Sequence, residues 1–163
     1  VIEAEDKKKH EEAHLRATTA LARIVSLANA SQKDKTRANI SRCIEKFGRH
    51  NTDKSLQPRL QPNPDTLGGK PLAEKTPRAG PDTGSSEVQI AILTAKIRVL
   101  ANQLETRVGR KDKVNKRNLR VMVHKRQKLL KYLRTKERGG DRWQHVVNTL
   151  GLSEGTWQGE ISL

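Results

Sequence analysis

Apolar residues recur along this chain at helical spacing, and no stretch alternates as a half-buried strand would. Residues 1–12 are highly charged and carry almost no apolar stripe. A helical period then begins with Ala17, Leu21, Ile24 and Ala28, spaced four, three and four. A second helix is predicted after Lys35, with Ile40, Cys43, Ile44 and Phe47 on one face and Gly48 as its stop. From His50 to Pro81 the texture changes. All six prolines, with Gly68, Gly69, Gly80 and Gly84, fall between Pro58 and Gly84. That composition predicts an extended connector over residues 50–81 that cannot pack by itself.

Order resumes at Asp82. The run Asp82-Thr83-Gly84-Ser85-Ser86-Glu87 offers helix N-caps, with Ser85 or Ser86 expected in that role and Glu87 favourable at the positive helix end. Ile90, Leu93, Ile97, Leu100 and Leu104 form a heptad-like seam, while Val88, Ala91, Ile92, Ala95 and Val99 lie on another side. Two apolar sides predict a helix covered twice, at the centre of a bundle. Val108-Gly109-Arg110-Lys111-Asp112 predicts a turn. The following helix places Leu119, Met122, Val123, Leu129, Leu130 and Leu133 within about 120° of arc. Arg117, Arg120, His124, Lys128, Lys131 and Arg138 project from its other side, and Gly139-Gly140 ends it. A short last helix carries Trp143, Val146, Val147 and Leu150 up to Gly151. Residues 153–163 have no period and read as a tail.

Charge changes the picture. Of a formal net +15, the segment from Arg107 to Arg138 holds fourteen Lys or Arg against two acids. So local a block repels itself unless something neutralises it, and nucleic-acid phosphate does so with release of counterions. A basic helical adaptor docking an acidic protein is the rival class. With 2% aromatic residues, stacking platforms for bases are scarce, so recognition must come from charge, backbone placement and helix shape. Cys43 is alone, which excludes an intrachain disulfide and a cysteine zinc cluster and suits a small buried apolar residue. No apolar run approaches the roughly 20 residues of a membrane span.

His10-Glu11-Glu12-Ala13-His14 matches the H-E-x-x-H zinc motif, but its highly charged neighbours cannot exclude water and no third ligand is evident. Gly68-Gly69-Lys70 lacks the first glycine and the following Ser or Thr of a phosphate loop. His124 and His145 have no partner at a catalytic spacing. No catalytic constellation, cofactor or small-molecule substrate is therefore expected. Gln89, Lys96 and Gln103 recur every seven residues as a polar seam, readable as a boundary stripe or as contacts. Gly84 would let a phosphate approach the backbone beside the first free N–H groups of the helix. Arg126, near the middle of the apolar arc, reads equally as a snorkelling side chain or an RNA contact. Tyr132, on the flank, reads as half-buried core or as a ribose or base contact.

Three segments together resemble one family: Asp82-Thr83-Gly84-Ser85-x-Glu87-Val88-Gln89, then Leu93-Thr94, then Lys125-Arg126-x-Lys128-Leu129-Leu130-x-Tyr132-Leu133. The close, from Arg142-Trp143 to Leu150-Gly151-Leu152, is similar too. The family is that of small-subunit ribosomal protein S-fifteen, and the likeness covers about residues 82–152, with Ile40 to Arg49 similar to its first helix. It implies an all-α, four-helix ribosomal-protein fold with a long central hairpin. It also implies ribosomal RNA and neighbouring ribosomal proteins as partners.

The resemblance further implies that Thr83, Gly84, Gln89 and Tyr132 meet a three-way RNA junction. The hairpin turn would read a purine-rich RNA helix across its minor groove with His, Asp and Ser. Only Asp112 is retained here; Gln103 and Asn115 stand at the other two positions. Lys96, Lys116, Arg117, Arg120, His124, Lys128 and Lys131 complete the candidate RNA contacts. The expected divisions are an N-terminal helical extension (1–34), the first core helix (35–49), the connector (50–81), the RNA-binding helical domain (82–152) and the tail (153–163).

The long segment before Asp82 resembles mitochondrial members of the family, so a ribosome-bound place in the mitochondrial matrix is expected, with a bacterial cytoplasmic ribosome as the alternative. Residues 1–12 are too acidic for a transit peptide, and opening on Val1 rather than Met leaves room for a removed leader.

Overall fold

A computed structural model describes residues 2–56, 78–106 and 109–159. All regular structure among them is helical, in keeping with the expected all-α class. Residues 57–77, the greater part of the expected connector, lie outside the described residues with Gly68-Gly69-Lys70, as do Arg107, Val108 and residues 160–163 of the tail.

The chain divides between Asn39 and Ile40. In the first unit, α1 spans Ile2–Val25, starting well before the apolar period and ending short of Ala28. The Asn29 amide closes its end by donating to the Arg23 carbonyl at 2.7 Å. Leu15, Leu21 and Ile24 are 59–73% exposed, so the stripe on α1 covers no core within its unit. α2 spans Gln32–Phe47 and runs across that division, its residues from Ile40 belonging to the second unit; the Ser31 hydroxyl caps it by accepting from the Asp34 N–H at 3.2 Å.

In the second unit, α3 is Arg49–Ser55, α4 Ser86–Glu105, α5 Lys113–Glu137 and α6 Asp141–Leu150. α4 and α5 pack as an antiparallel hairpin, and α6 closes against both. The core joins Phe47 to Val88, Ile90 and Ala91 of α4, Leu130 and Leu133 of α5, and Trp143 and Val146 of α6, with Trp157 beyond them. Cys43 is partly buried against this cluster, and burial raises its thiol pKa. α4 is covered on two sides only in its first half. Val88 is fully buried, whereas Val99, on the same side three turns on, is 43% exposed.

Two stretches differ from the sequence expectation. The connector begins with a helix, because residues far along the chain hold α3 in place. The Arg49 N–H donates to Asp82 Oδ2 (3.0 Å), the Asp82 N–H to His50 Nδ1 (3.2 Å), and Arg142 and Arg78 both donate to Asp53. The tail is likewise ordered over 153–159. Glu154–Thr156 form a 3-10 turn, and Trp157 is buried edge-on to Trp143, centroids 5.1 Å apart. Neither anchor shows as a local period, since both are made by contacts between residues distant in sequence. No described helix is long and apolar enough to cross a membrane.

Candidate nucleic-acid interface

The site is built on the two ends of the α4–α5 hairpin and on the outer face of α5. At the first end, Asp82 makes the turn. Its Oδ1 accepts from the N–H groups of Gly84 (3.2 Å) and Ser85 (3.1 Å), and its Oδ2 accepts from Arg49. Partial burial raises the Asp82 pKa, but these hydrogen bonds outweigh it and hold the carboxyl below its ordinary value. Ser85 is the N-cap by backbone position, yet its side chain makes no cap hydrogen bond; Asp82 closes the turn just ahead of it. The Gly84 and Ser85 N–H groups are thus taken within the turn, and neither belongs to the first helical residues of α4, whose N–H groups were expected to face a phosphate. The Gln89 amide donates to the Gly84 carbonyl at 2.7 Å, so Thr83, Gly84 and Gln89 form one cluster with Thr83 and Gly84 exposed.

Glu87 does more than sit at a positive helix end. It is buried, and the Arg49 guanidinium donates to its Oε1 through Nε (3.2 Å) and Nη2 (3.0 Å) while lying 3.7 Å from Glu137 Oε1. This ties α3, α4 and the end of α5 together beside the Thr83-Gly84 turn. The Asp in an Asp-x-Gly sequence was a legible turn signal. Nothing local marks Arg49 as its partner.

At the other end, Asp112 is the N-cap of α5. Its carboxylate accepts from the Asn115 N–H (2.9 Å) and from Asn115 Nδ2 (2.5 Å), and these two bonds depress its pKa. The structure therefore joins Asp112 to Asn115. Gln103 is exposed on the last turn of α4, and the turn passes over its carbonyl: a Cβ at Gly109 would lie 2.2 Å from that oxygen. Gln103 lies fourteen positions beyond Gln89 on α4, putting the two ends about 20 Å apart.

Between them, Lys116, Arg117, Arg120, His124, Lys128 and Lys131 are all exposed on α5, and Lys96 is exposed on α4. Tyr132 is 53% exposed, with Lys136 Nζ 5.4 Å from its ring centroid, so its side chain is not core. Arg126 is half-buried. Burial and then the nearby Arg98 charge lower its pKa, while Arg98 donates to the Leu150 carbonyl at the end of α6 (2.9 Å). Arg126 thus belongs with the core flank.

His10, Glu11 and His14 are exposed on α1, and the described residues contain no grouping of three His, Cys, Asp or Glu able to hold a metal. His145 packs against Phe47, ring centroids 5.7 Å apart, and burial followed by the Lys46 charge lowers its pKa.

Residues 70–153 match the family described as Ribosomal protein S15. The chain is 52% identical over 161 residues to small ribosomal subunit protein uS15m of Neurospora crassa, covering 99% of this chain and 49% of that protein. Its likeness to uS15m of Schizosaccharomyces pombe is 43% over 89 residues, 54% of this chain and 30% of the other. To uS15 of Desulforudis audaxviator it is 43% over 83 residues, 51% of this chain and 89% of that protein. The chain thus spans about half the length of the Neurospora relative and less of the Schizosaccharomyces one. With over half its residues inside the family match and nearly all of a bacterial member covered, the chain belongs to the ribosomal protein S15 family.

Proposed function

We propose that the chain is a structural, non-catalytic component of the small subunit of the mitochondrial ribosome. It binds small-subunit ribosomal RNA at a three-way junction and along the adjacent purine-rich helix. The observation that carries this reading is the hairpin itself: two clusters without net positive charge, one at each end, joined by the exposed cationic stripe of α5. The stripe supplies affinity without sequence choice, since every phosphate is alike. Thr83, Gly84, Gln89 and Tyr132 then read the junction, and Asp112 with Asn115 reads the minor groove. Duplex RNA exposes its 2′-hydroxyls and base edges there, while its deep major groove excludes side chains.

Gly84 adds support. Its backbone is not left-handed, and a Cβ there would meet no protein atom within 4 Å, so neither turn nor packing requires glycine. Close approach from outside gives a reason for it. The mitochondrial address is supported by the two uS15m relatives, one of them matching nearly the whole chain, N-terminal segment included. α1, with five acids, five Lys or Arg and exposed Leu15, Leu21 and Ile24, suits docking on neighbouring ribosomal proteins rather than on RNA.

The test is filter binding of the full chain to a small-subunit rRNA junction fragment across a range of salt. Lys128→Ala should weaken binding and lower the salt slope by about one; an unchanged slope removes Lys128 from the contacts. Crosslinks from Thr83, Asp112 and Tyr132 in native ribosomes should reach RNA. Crosslinking confined to residues 1–50 would overturn the hairpin reading.

A further inference from the structure

We propose that a groove at the C-terminal end of α5 is a second RNA-backbone site, separate from the junction and minor-groove contacts. The inference rests on the reading of α5 as the RNA-facing helix. The groove has a volume of about 810 Å³. One wall is Lys131, Arg134 and Arg138, and the other is Trp157, Gln158 and Gly159.

Lys131 and Arg134 lie one turn apart on α5, and Arg138 is the left-handed C-cap that follows them. Like charges at that spacing repel, and none of the three is in an ion pair among the described residues. Glu137, the acid nearest in sequence, is turned to Arg49 instead. Among the described residues the opposite wall is neutral: Trp157, Gln158 and Gly159. A concave cationic surface without an ion pair among the described residues calls for an anion.

The second wall is a built feature. Trp157 is 93% buried by its own 7% exposure and stands edge-on to Trp143, and the Gln127 amide donates to the Gly159 carbonyl at 2.8 Å. These anchors lie on α5 and α6, so the wall is tied to the same helices that carry the cationic side. Trp157 to Gly159 fall beyond the family-matched residues 70–153, so this wall is an addition to the shared domain.

Continuity decides between RNA and an acidic protein. His124, Lys128 and Lys131 lead along one face of α5 directly into the groove, which Thr135 also lines. A phosphate backbone following that stripe enters the groove without leaving the helix. Arg134 and Arg138 carry planar forks suited to phosphate oxygens, where the stripe before them carries Lys128 and Lys131.

The experiment compares the full chain with the Arg134→Gln/Arg138→Gln double variant on two probes. One is a minimal three-way-junction fragment of small-subunit rRNA; the other has its arms lengthened by about one helical turn. Both arginines are exposed, and matched urea midpoints check that folding is intact. On the long fragment the double variant should bind about tenfold to a hundredfold more weakly, with the salt slope reduced by about two. The minimal fragment should be bound as by wild type, and Arg134→Lys/Arg138→Lys should restore most of the slope on the long one.

Unchanged binding to the long fragment, with Lys128→Ala still weakened, overturns the groove and leaves the ribosomal RNA reading standing. Equal loss on both fragments overturns its separateness from the junction contacts. A wild-type chain that binds neither fragment removes the RNA reading and the groove together. A photo-crosslinker at Gln158 in intact subunits should label RNA, and labelling of protein alone overturns the proposal in favour of an acidic partner.

Discussion

Asp112 carries two roles that one residue can hold because a carboxylate has more than one free lone pair. One role is local: it closes the start of α5 by accepting from Asn115. The other is the proposed acceptor for RNA donors in the minor groove. Asp112→Ser separates them, since serine is an equally good N-cap but lacks the second oxygen. The thermal midpoint should stay near that of wild type, while binding to a purine-rich duplex fragment should weaken about threefold to tenfold. A fall in midpoint with no change in binding would leave Asp112 as a cap alone. Tyr132 shows the reverse economy. Its flank position in sequence fitted core or contact equally well, and only the packing around it, which leaves the ring over half exposed, set the core reading aside.

The hairpin element depends on two glycines for different reasons. At Gly109 a Cβ would lie 2.2 Å from the Gln103 carbonyl oxygen and 2.7 Å from Leu104 Cα, backbone atoms that cannot step aside. Gly109→Ala should therefore destabilise the chain by about 1–3 kcal/mol in urea unfolding, with RNA affinity falling only as far as the folded fraction falls. Gly84→Ala meets empty space, so stability should move by no more than about 0.5 kcal/mol. Its affinity for the junction fragment should nonetheless drop about fivefold to tenfold, as expected for one lost close contact. If both variants behave alike, Gly84 has no special place in recognition. The same hairpin explains why the apolar pattern of α4 overstated its burial. A period reports which residues share a face, whereas cover depends on how far neighbouring elements reach, and cover fails by Val99.

Across the whole molecule, the stretch 153–159 is core as much as extension, because Trp157 is buried against Trp143. Trp157→Ala in the full chain should cost about 3–5 kcal/mol, read as a lower urea midpoint. An unmoved midpoint would return residues 153–159 to the status of a tail. Local order therefore supplied much of the plan. The helical periods set the all-α class, Gly109 and Asp112 marked the hairpin turn, and the charge block from Arg107 to Arg138 marked the face proposed to meet RNA. Each was legible because neighbours in sequence are neighbours on one helix. The tertiary structure alone decided what distant residues do to one another. It bound Arg49 to Asp82, Glu87 and Glu137, held Asp53 between Arg78 and Arg142, and laid Trp157 against Trp143. Such contacts leave no period, because one side chain meeting one partner across the fold is set by where helices cross rather than by spacing along the chain.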